Sequence, residues 1–134
     1  MSRSLIQTVN SSEQSVTAGS TIGLGTTVRR YGCNCRQIGD AIELEGSGYY
    51  KITATVVAEP DAIGNVTVSA YFNGLQIQGA TATGSVSTVG NRTTMTIVGT
   101  IRMGCNCEGA SNLTFELDEG DSTISLISVR VDKA

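Results

Sequence analysis

The residues best equipped for chemistry are four cysteines, arranged as two Cys-Asn-Cys pairs, Cys33/Cys35 and Cys105/Cys107, each behind a glycine, Gly32 or Gly104. Arg29-Arg30-Tyr31 precedes the first tetrapeptide and Arg102-Met103 the second. In extended backbone, residues two apart send both sulfurs to one face, with Cα atoms about 6–7 Å apart. That separation is at the limit of a disulfide, so a bridge inside one pair needs a turn. A bridge from Cys33 or Cys35 to Cys105 or Cys107 needs only that the loops meet. Four converging thiolates could also hold a structural zinc, although one intervening residue is tighter than zinc knuckles favour. A reducing cytoplasm would leave ordinary thiols. Disulfides formed after release, free thiols, and zinc at Cys33, Cys35, Cys105 and Cys107 all stay open here. The repeated tetrapeptide predicts two loops that meet in space, not a duplicated domain, because the flanking sequences differ.

Catalytic machinery is otherwise missing from the composition. The chain has no histidine and no tryptophan. That removes the usual base of Ser and Cys hydrolases and the commonest nitrogen ligand of a catalytic metal. Carboxylate chemistry needs two acids facing each other across a substrate, yet Asp118, Glu119 and Asp121 read as a solvated turn. No Cys-x-x-Cys opens a helix to activate a thiol, and no glycine-rich phosphate loop precedes one. The expectation is a non-enzyme without a cofactor. With 9 basic against 12 acidic residues and a net charge of −3, no cationic face is expected for nucleic acid. No apolar run is long enough to cross a bilayer. The segment MSRSLIQTVNSSEQ has neither the apolar stretch nor the cleavage site of a signal peptide.

Strands must position these residues. At 134 residues the chain reads as a single domain, 1–134, able to bury a core without metal or disulfide, with residues 1–18 as a candidate N-terminal arm. Only 16% of residues are charged and 40% hydrophobic, which leaves a Ser, Thr, Gly, Asn and Gln-rich remainder suited to strands. Apolar residues recur with period two and not with the period of a helix. Ile22, Leu24, Thr26 and Val28 share one phase; so do Ile42 and Leu44; so do Tyr50, Ile52, Ala54 and Val56. Val66, Val68, Ala70 and Phe72 lead into Asn73-Gly74, the dipeptide that best satisfies the two positive φ angles of a tight hairpin. Pro60 is expected in a loop, and residues 79–91 as a weak edge strand and loop. Gly99, inside an apolar strand, marks a bulge or a close backbone approach. The last strand, Ile124 to Val131, carries apolar residues in both phases, the pattern of a strand covered on both faces. About eight to ten short strands with regular turns predict an all-β antiparallel sandwich with no helix longer than a turn.

From Gly48 onward the order of signals resembles the jelly-roll family of tumour necrosis factor and the globular heads of complement-type collagen proteins. It is similar above all to the bacterial and phage versions that cap collagen-like fibres. The resemblance rests on GYYKITATV at Gly48 to Val56, VTVSAYFNGLQI at Val66 to Ile77, and LISVRV at Leu126 to Val131. It covers about two thirds of the chain with short motifs. There is no collagen-like stalk, and the CNCEGAS loop stands where the family has an acidic-glycine turn. The resemblance implies a tumour-necrosis-factor-like jelly roll and a homotrimer with the final strand at its centre. Together with the two-phase pattern, it makes Ile124, Leu126, Ile127, Val129 and Val131 the expected trimer-interface residues.

Jelly rolls serve many roles, so function follows from the rest of the sequence. A compact, acidic, helix-free trimer suits a phage virion structural protein: a capsid decoration or short head-fibre protein bound to the capsid lattice. Such a protein would be assembled in the bacterial cytoplasm, released by lysis and carried on the virion surface. A tail-fibre tip or lectin-like head recognising a host glycan is the alternative, with Tyr49 and Tyr71 expected on outward faces; with aromatics at 4%, their plainer role is cross-strand packing. A bacterial spore-surface jelly roll is the third reading.

Overall fold

The structure, a computed structural model, describes residues 4–103 and 111–133. Among these residues the chain forms twelve strands and no helix. They are β1 (Ser4–Asn10), β2 (Gln14–Val16), β3 (Ser20–Thr21), β4 (Thr26–Tyr31), β5 (Cys35–Ile38) and β6 (Ala41–Leu44), followed by β7 (Gly48–Pro60), β8 (Gly64–Phe72), β9 (Leu75–Val86), β10 (Thr93–Met103), β11 (Ser111–Glu119) and β12 (Ser122–Lys133). One sheet has the order β4-β1-β12-β7-β10, with β2 also on β12; the other has β5-β6-β11-β8-β9, with β3 on β11. Every pairing is antiparallel.

The two sheets bury one core between their inner faces. Ile6, Ile52, Val56, Ile97 and Val131 of the first meet Leu44, Val68, Leu113, Phe115 and Leu117 of the second, all buried. Period-two alternation thus places one phase of each strand inside, as the sequence pattern predicts. At the Asn73-Gly74 hairpin both residues have positive φ, 53° and 84°. It is tied down by the Asn73 amide donating to the Asn112 carbonyl at 2.8 Å and the Asn112 amide donating to Asn73 Oδ1 at 2.9 Å. Gly99 is a close approach: a Cβ there would lie 3.0 Å from the Ala80 Cβ, where β9 crosses β10 between the sheets.

The final strand corrects the sequence reading. Its ladder to β7 shifts between Ile124, opposite Ala58, and Leu126, opposite Val57, which leaves Ser125 as an extra residue. A bulge of this kind reverses the inward phase. Ile124 is inward before it, and Ile127, Val129 and Val131 are inward after it, all fully buried within this one chain. The two-phase pattern therefore needs no neighbouring subunit to explain it. Of the five expected interface residues only Leu126 is partly accessible.

Three other expectations change. The candidate arm contributes β1, an inner strand of the first sheet between β12 and β4, in register from Ser4 opposite Lys133 to Asn10 opposite Ile127. The predicted face Ile22–Val28 is broken at Gly25 (φ 77°), where a Cβ would collide with the Val9 carbonyl. Ile22 and Leu24 stay buried, while all six residues of β4 are exposed. Pro60 ends β7, opposite Ser122. β10 begins only at Thr93, opposite Ala58, so on that side Pro60 lies beyond the ladder that its missing N–H would have served. The weak edge strand and loop expected over residues 79–91 are present: β9 (75–86) is an edge of the second sheet, kinked where its ladder to β8 shifts near Gly79 (φ 84°), and a loop follows over 87–92.

Candidate functional site

The first cysteine pair sits in a tight turn between β4 and β5, begun by Gly32 at φ 81°. The turn separates the two sulfurs that extended backbone would have aligned: Cys33 is exposed, Cys35 is buried, and both are free thiols. Asn34 fixes the turn. Its Oδ1 accepts from Ser4 Oγ at 2.7 Å, its Nδ2 donates to the Glu45 carbonyl at 2.6 Å, and its own carbonyl accepts from the Glu45 amide at 2.9 Å. Arg30 Nε donates to the Cys35 carbonyl at 2.7 Å. Beneath it the buried Tyr50 hydroxyl lies 2.9 Å and 2.8 Å from the carbonyl oxygens of Glu45 and Gly46 and shares its proton between them. Burial pushes the Cys35 thiol up to about 11, with Arg30 opposing the rise. Burial also pushes the Tyr50 phenol up to about 12, helped by the neighbouring Cys35 and Glu45. Neither group is poised as a nucleophile.

Cys105 and Cys107 lie outside the described residues. The strands on either side of their segment end near the first turn: Met103 is opposite Gly48, Ser111 is opposite Leu44, and Leu44 is also opposite Cys35. Among the described residues no group of three or more His, Cys, Asp or Glu could hold a metal ion.

A second feature, unread in the sequence, occupies the outer face of the first sheet. One register row crosses all five strands as Thr100, Lys51, Asp132, Leu5 and Tyr31. Tyr49 stands two residues along from Lys51. Together these residues line a hollow of about 490 Å³, with Tyr31 67% exposed and Tyr49 58% exposed at its walls. Arg130, on the floor, pairs with Asp132 at 3.2 Å. Arg29, Lys51, Arg102 and Arg130 all face outward on this sheet, so the folded chain does carry a locally basic face despite its acidic total. Composition hides this because it cannot say which face a charge occupies.

Tyr71, the other expected outward tyrosine, lies on the opposite sheet. Its hydroxyl donates to Asp118 Oδ1 at 2.6 Å, and Ser69 Oγ donates to Asp118 Oδ2. Gln76 Nε2 donates to Ser69 Oγ at 3.2 Å and Thr81 Oγ1 at 2.7 Å, closing a polar network over the sheet. The bond to Asp118 holds the Tyr71 phenol up at about 12. Asp118 is thus a structural acceptor in a satisfied cross-strand network, not a solvated turn residue as the sequence suggested. Tyr49 and Tyr71 both face outward as expected, but on opposite sheets they cannot form one platform.

Two packed sheets with these strand orders define a jelly roll. No protein-family model and no curated protein matches the sequence. Among solved structures, murine APRIL at pH 8.5 superposes with a TM-score of 0.76 at 13% identity, covering 99% of this chain and 100% of that one. The globular domain of zebrafish complement 1qA gives 0.70 at 5% identity over 96% and 94%. The PRD1 vertex protein P5 gives 0.63 at 16% identity over 97% and 96%. The chain has the tumour-necrosis-factor-like jelly-roll fold, as its sequence resemblance implied.

Proposed function

We propose that the chain is a non-enzymatic structural protein of a phage virion, a homotrimeric capsid decoration or short head-fibre protein. The observation that carries this reading is the likeness to the PRD1 vertex protein P5 across almost the full length of both chains. A chain without histidine, whose buried Cys35 thiol and Tyr50 phenol are held protonated, supports a role that works by surface area and not by turnover. The protein would assemble in the bacterial cytoplasm, reach the virion surface, and leave with the particle on lysis. On exposure to an oxidising medium, Cys33 is the accessible partner for a bridge to Cys105 or Cys107.

One observation favours the tail-tip reading instead: Tyr31 and Tyr49 flank a hollow of a size that a sugar could enter. Electron microscopy of particles labelled with antibody to this protein separates the readings. Label over the whole head supports decoration. Label at the tail supports a receptor-binding head, and label only on spores supports the bacterial surface reading.

A further inference from the structure

We propose that copies of this chain stack end to end, the basic end of one unit on the acidic end of the next, and so build a short fibre. The inference rests on the head-fibre part of the proposal above and names the contact by which such a fibre would grow.

The ladders sort the connections between the long strands to two ends of the sandwich. At one end Pro60 is opposite Ser122, Thr93 opposite Ala58 and Gly64 opposite Val86, so loops 61–63, 87–92 and 120–121 lie together there. The Asp61 amide ties two of them by donating to the Asp121 carbonyl at 2.9 Å. At the other end Met103 is opposite Gly48, Tyr31 opposite Leu5, Phe72 opposite Leu75 and Cys35 opposite Leu44.

Ionic residues divide between these ends. Glu59, Asp61, Glu119 and Asp121 are at the first, with Arg92, 4.0 Å from Glu59, as the one cation there among the described residues. Arg29, Arg30, Arg36, Lys51, Arg102 and Arg130 all lie in the other half. Of the acids in that half, Glu43 pairs with Arg36 at 2.9 Å and Asp132 with Arg130 at 3.2 Å, while Asp40 and Glu45 leave the cations in excess. Under a net charge of only −3, the field of the folded chain therefore runs along its strands, from a basic end to an acidic one. Each end also carries bare aliphatic side chains. Ile63, 64% exposed, and Val89, 60% exposed, are at the acidic end, and Leu75, 75% exposed, follows the Asn73-Gly74 turn at the basic end.

Charge selects the occupant and the polarity. Two basic ends or two acidic ends brought together oppose like charges, which costs affinity. A basic end on an acidic end attracts, and it covers the aliphatic tips of both. The partner that offers the matching charge is a second copy of the same chain. Contact between opposite ends of one unit is heterologous, and along a common axis it propagates as an open stack. An end of five strands about 4.8 Å apart, two sheets deep, covers roughly 500 Å². Two such ends bury about 1,000 Å², the range of weak and transient contacts. A homotrimer with its subunits side by side would present three ends at once and hold by their combined avidity.

Light scattering on the full chain in about 0.01 M and about 1 M salt tests this, since the screening length falls from about 30 Å to about 3 Å between them. At low salt the mean mass should rise about twofold or more above that of the single unit and grow with concentration; at high salt it should return to the unit. Two paired variants probe the ends. Arg30→Glu with Arg36→Glu alters exposed side chains around the small hollow that holds Cys33, and Asp61→Lys with Glu119→Lys alters exposed side chains at the opposite end. Each pair alone should stay at the unit mass at low salt. A mixture of the two should stack, because each supplies the charge that the other has lost. Circular dichroism and an unreactive Cys35 report that both fold. A wild type that keeps its unit mass at low salt overturns the stack, as does stacking that survives high salt or a mixture of folded variants that fails to assemble. The unit mass at high salt reports the homotrimer independently, and label on the phage head reports the virion reading, so a failed stack is distinct from the failure of either.

Discussion

The first cysteine turn shows how one residue's setting decides its chemistry. Two thiols two positions apart differ in exposure, because the turn at Gly32 points one outward and one into the core. With its pKa near 11, Cys35 has on the order of one thiolate per thousand at pH 8. Cys33 should therefore be alkylated within minutes and Cys35 only on unfolding, as mass spectrometry after timed iodoacetamide exposure will show. The sign for stability follows. A thiol whose folded pKa lies above its unfolded value of 9.0 contributes stability in full below pH 9, and that contribution is lost as pH rises toward 11. Urea midpoints should therefore fall between pH 9 and 11 in the wild type, and less steeply in Cys35→Ala. Thr8 offers a second residue-scale test. Its hydroxyl is fully buried with no hydrogen-bond partner, which costs about 1–3 kcal/mol. Thr8→Val keeps the shape, removes the orphan, and should raise stability by about 1 kcal/mol in chemical denaturation.

Among the elements, β12 depends on a single inserted residue. Ser125 lets Ile124 and Ile127 both face inward although they are three positions apart. Deleting Ser125 would force either Ile124 or the set Ile127, Val129 and Val131 outward. Each large side chain turned out of the core forfeits about 1.5–3 kcal/mol, so the deletion variant should lose its cooperative thermal transition by circular dichroism. Val129→Asp, an obvious probe of a subunit contact, becomes a folding mutation for the same reason. Here the limit of sequence reading is visible. Strands β6, β7 and β8 and the Asn73-Gly74 hairpin were legible because alternation and turn chemistry are local. The bulge was not: a phase reversal in β12 and a strand covered on both faces write the same letters, and only the register against β7 tells them apart. The break at Gly25 was hidden likewise, since the Val9 carbonyl that excludes a side chain comes from a strand 16 residues earlier in the chain. The tyrosine hollow draws on β1, β4, β7, β10 and β12, and no local pattern can assemble five strands.

For the whole molecule, the partition of charge and apolar surface between two outer faces matters more than the totals. A net charge of −3 suggests a uniformly acidic particle, but folding sorts most of the outward cations of the strands onto one sheet. What the sequence did give at this scale was the architecture, because six or more alternating segments without a helical stripe leave few layer arrangements. The pairing of β1 with β12 has a mechanical consequence. Ser4 and Lys133 are side by side at one end of the first sheet, and the strands leading from them run antiparallel as neighbours. Tension applied to those two ends together loads the ladder one bond at a time, because its hydrogen bonds lie perpendicular to the strands. Tension between Ser4 and the opposite pole, at Gly120, instead pulls β1 along its own axis and loads its bonds to β12 in shear, all at once. Optical-trap pulling should open the chain at markedly lower force through the Ser4 and Lys133 ends than through Ser4 and Gly120. A protein of this design resists load along its length and yields like a zip to load at one end.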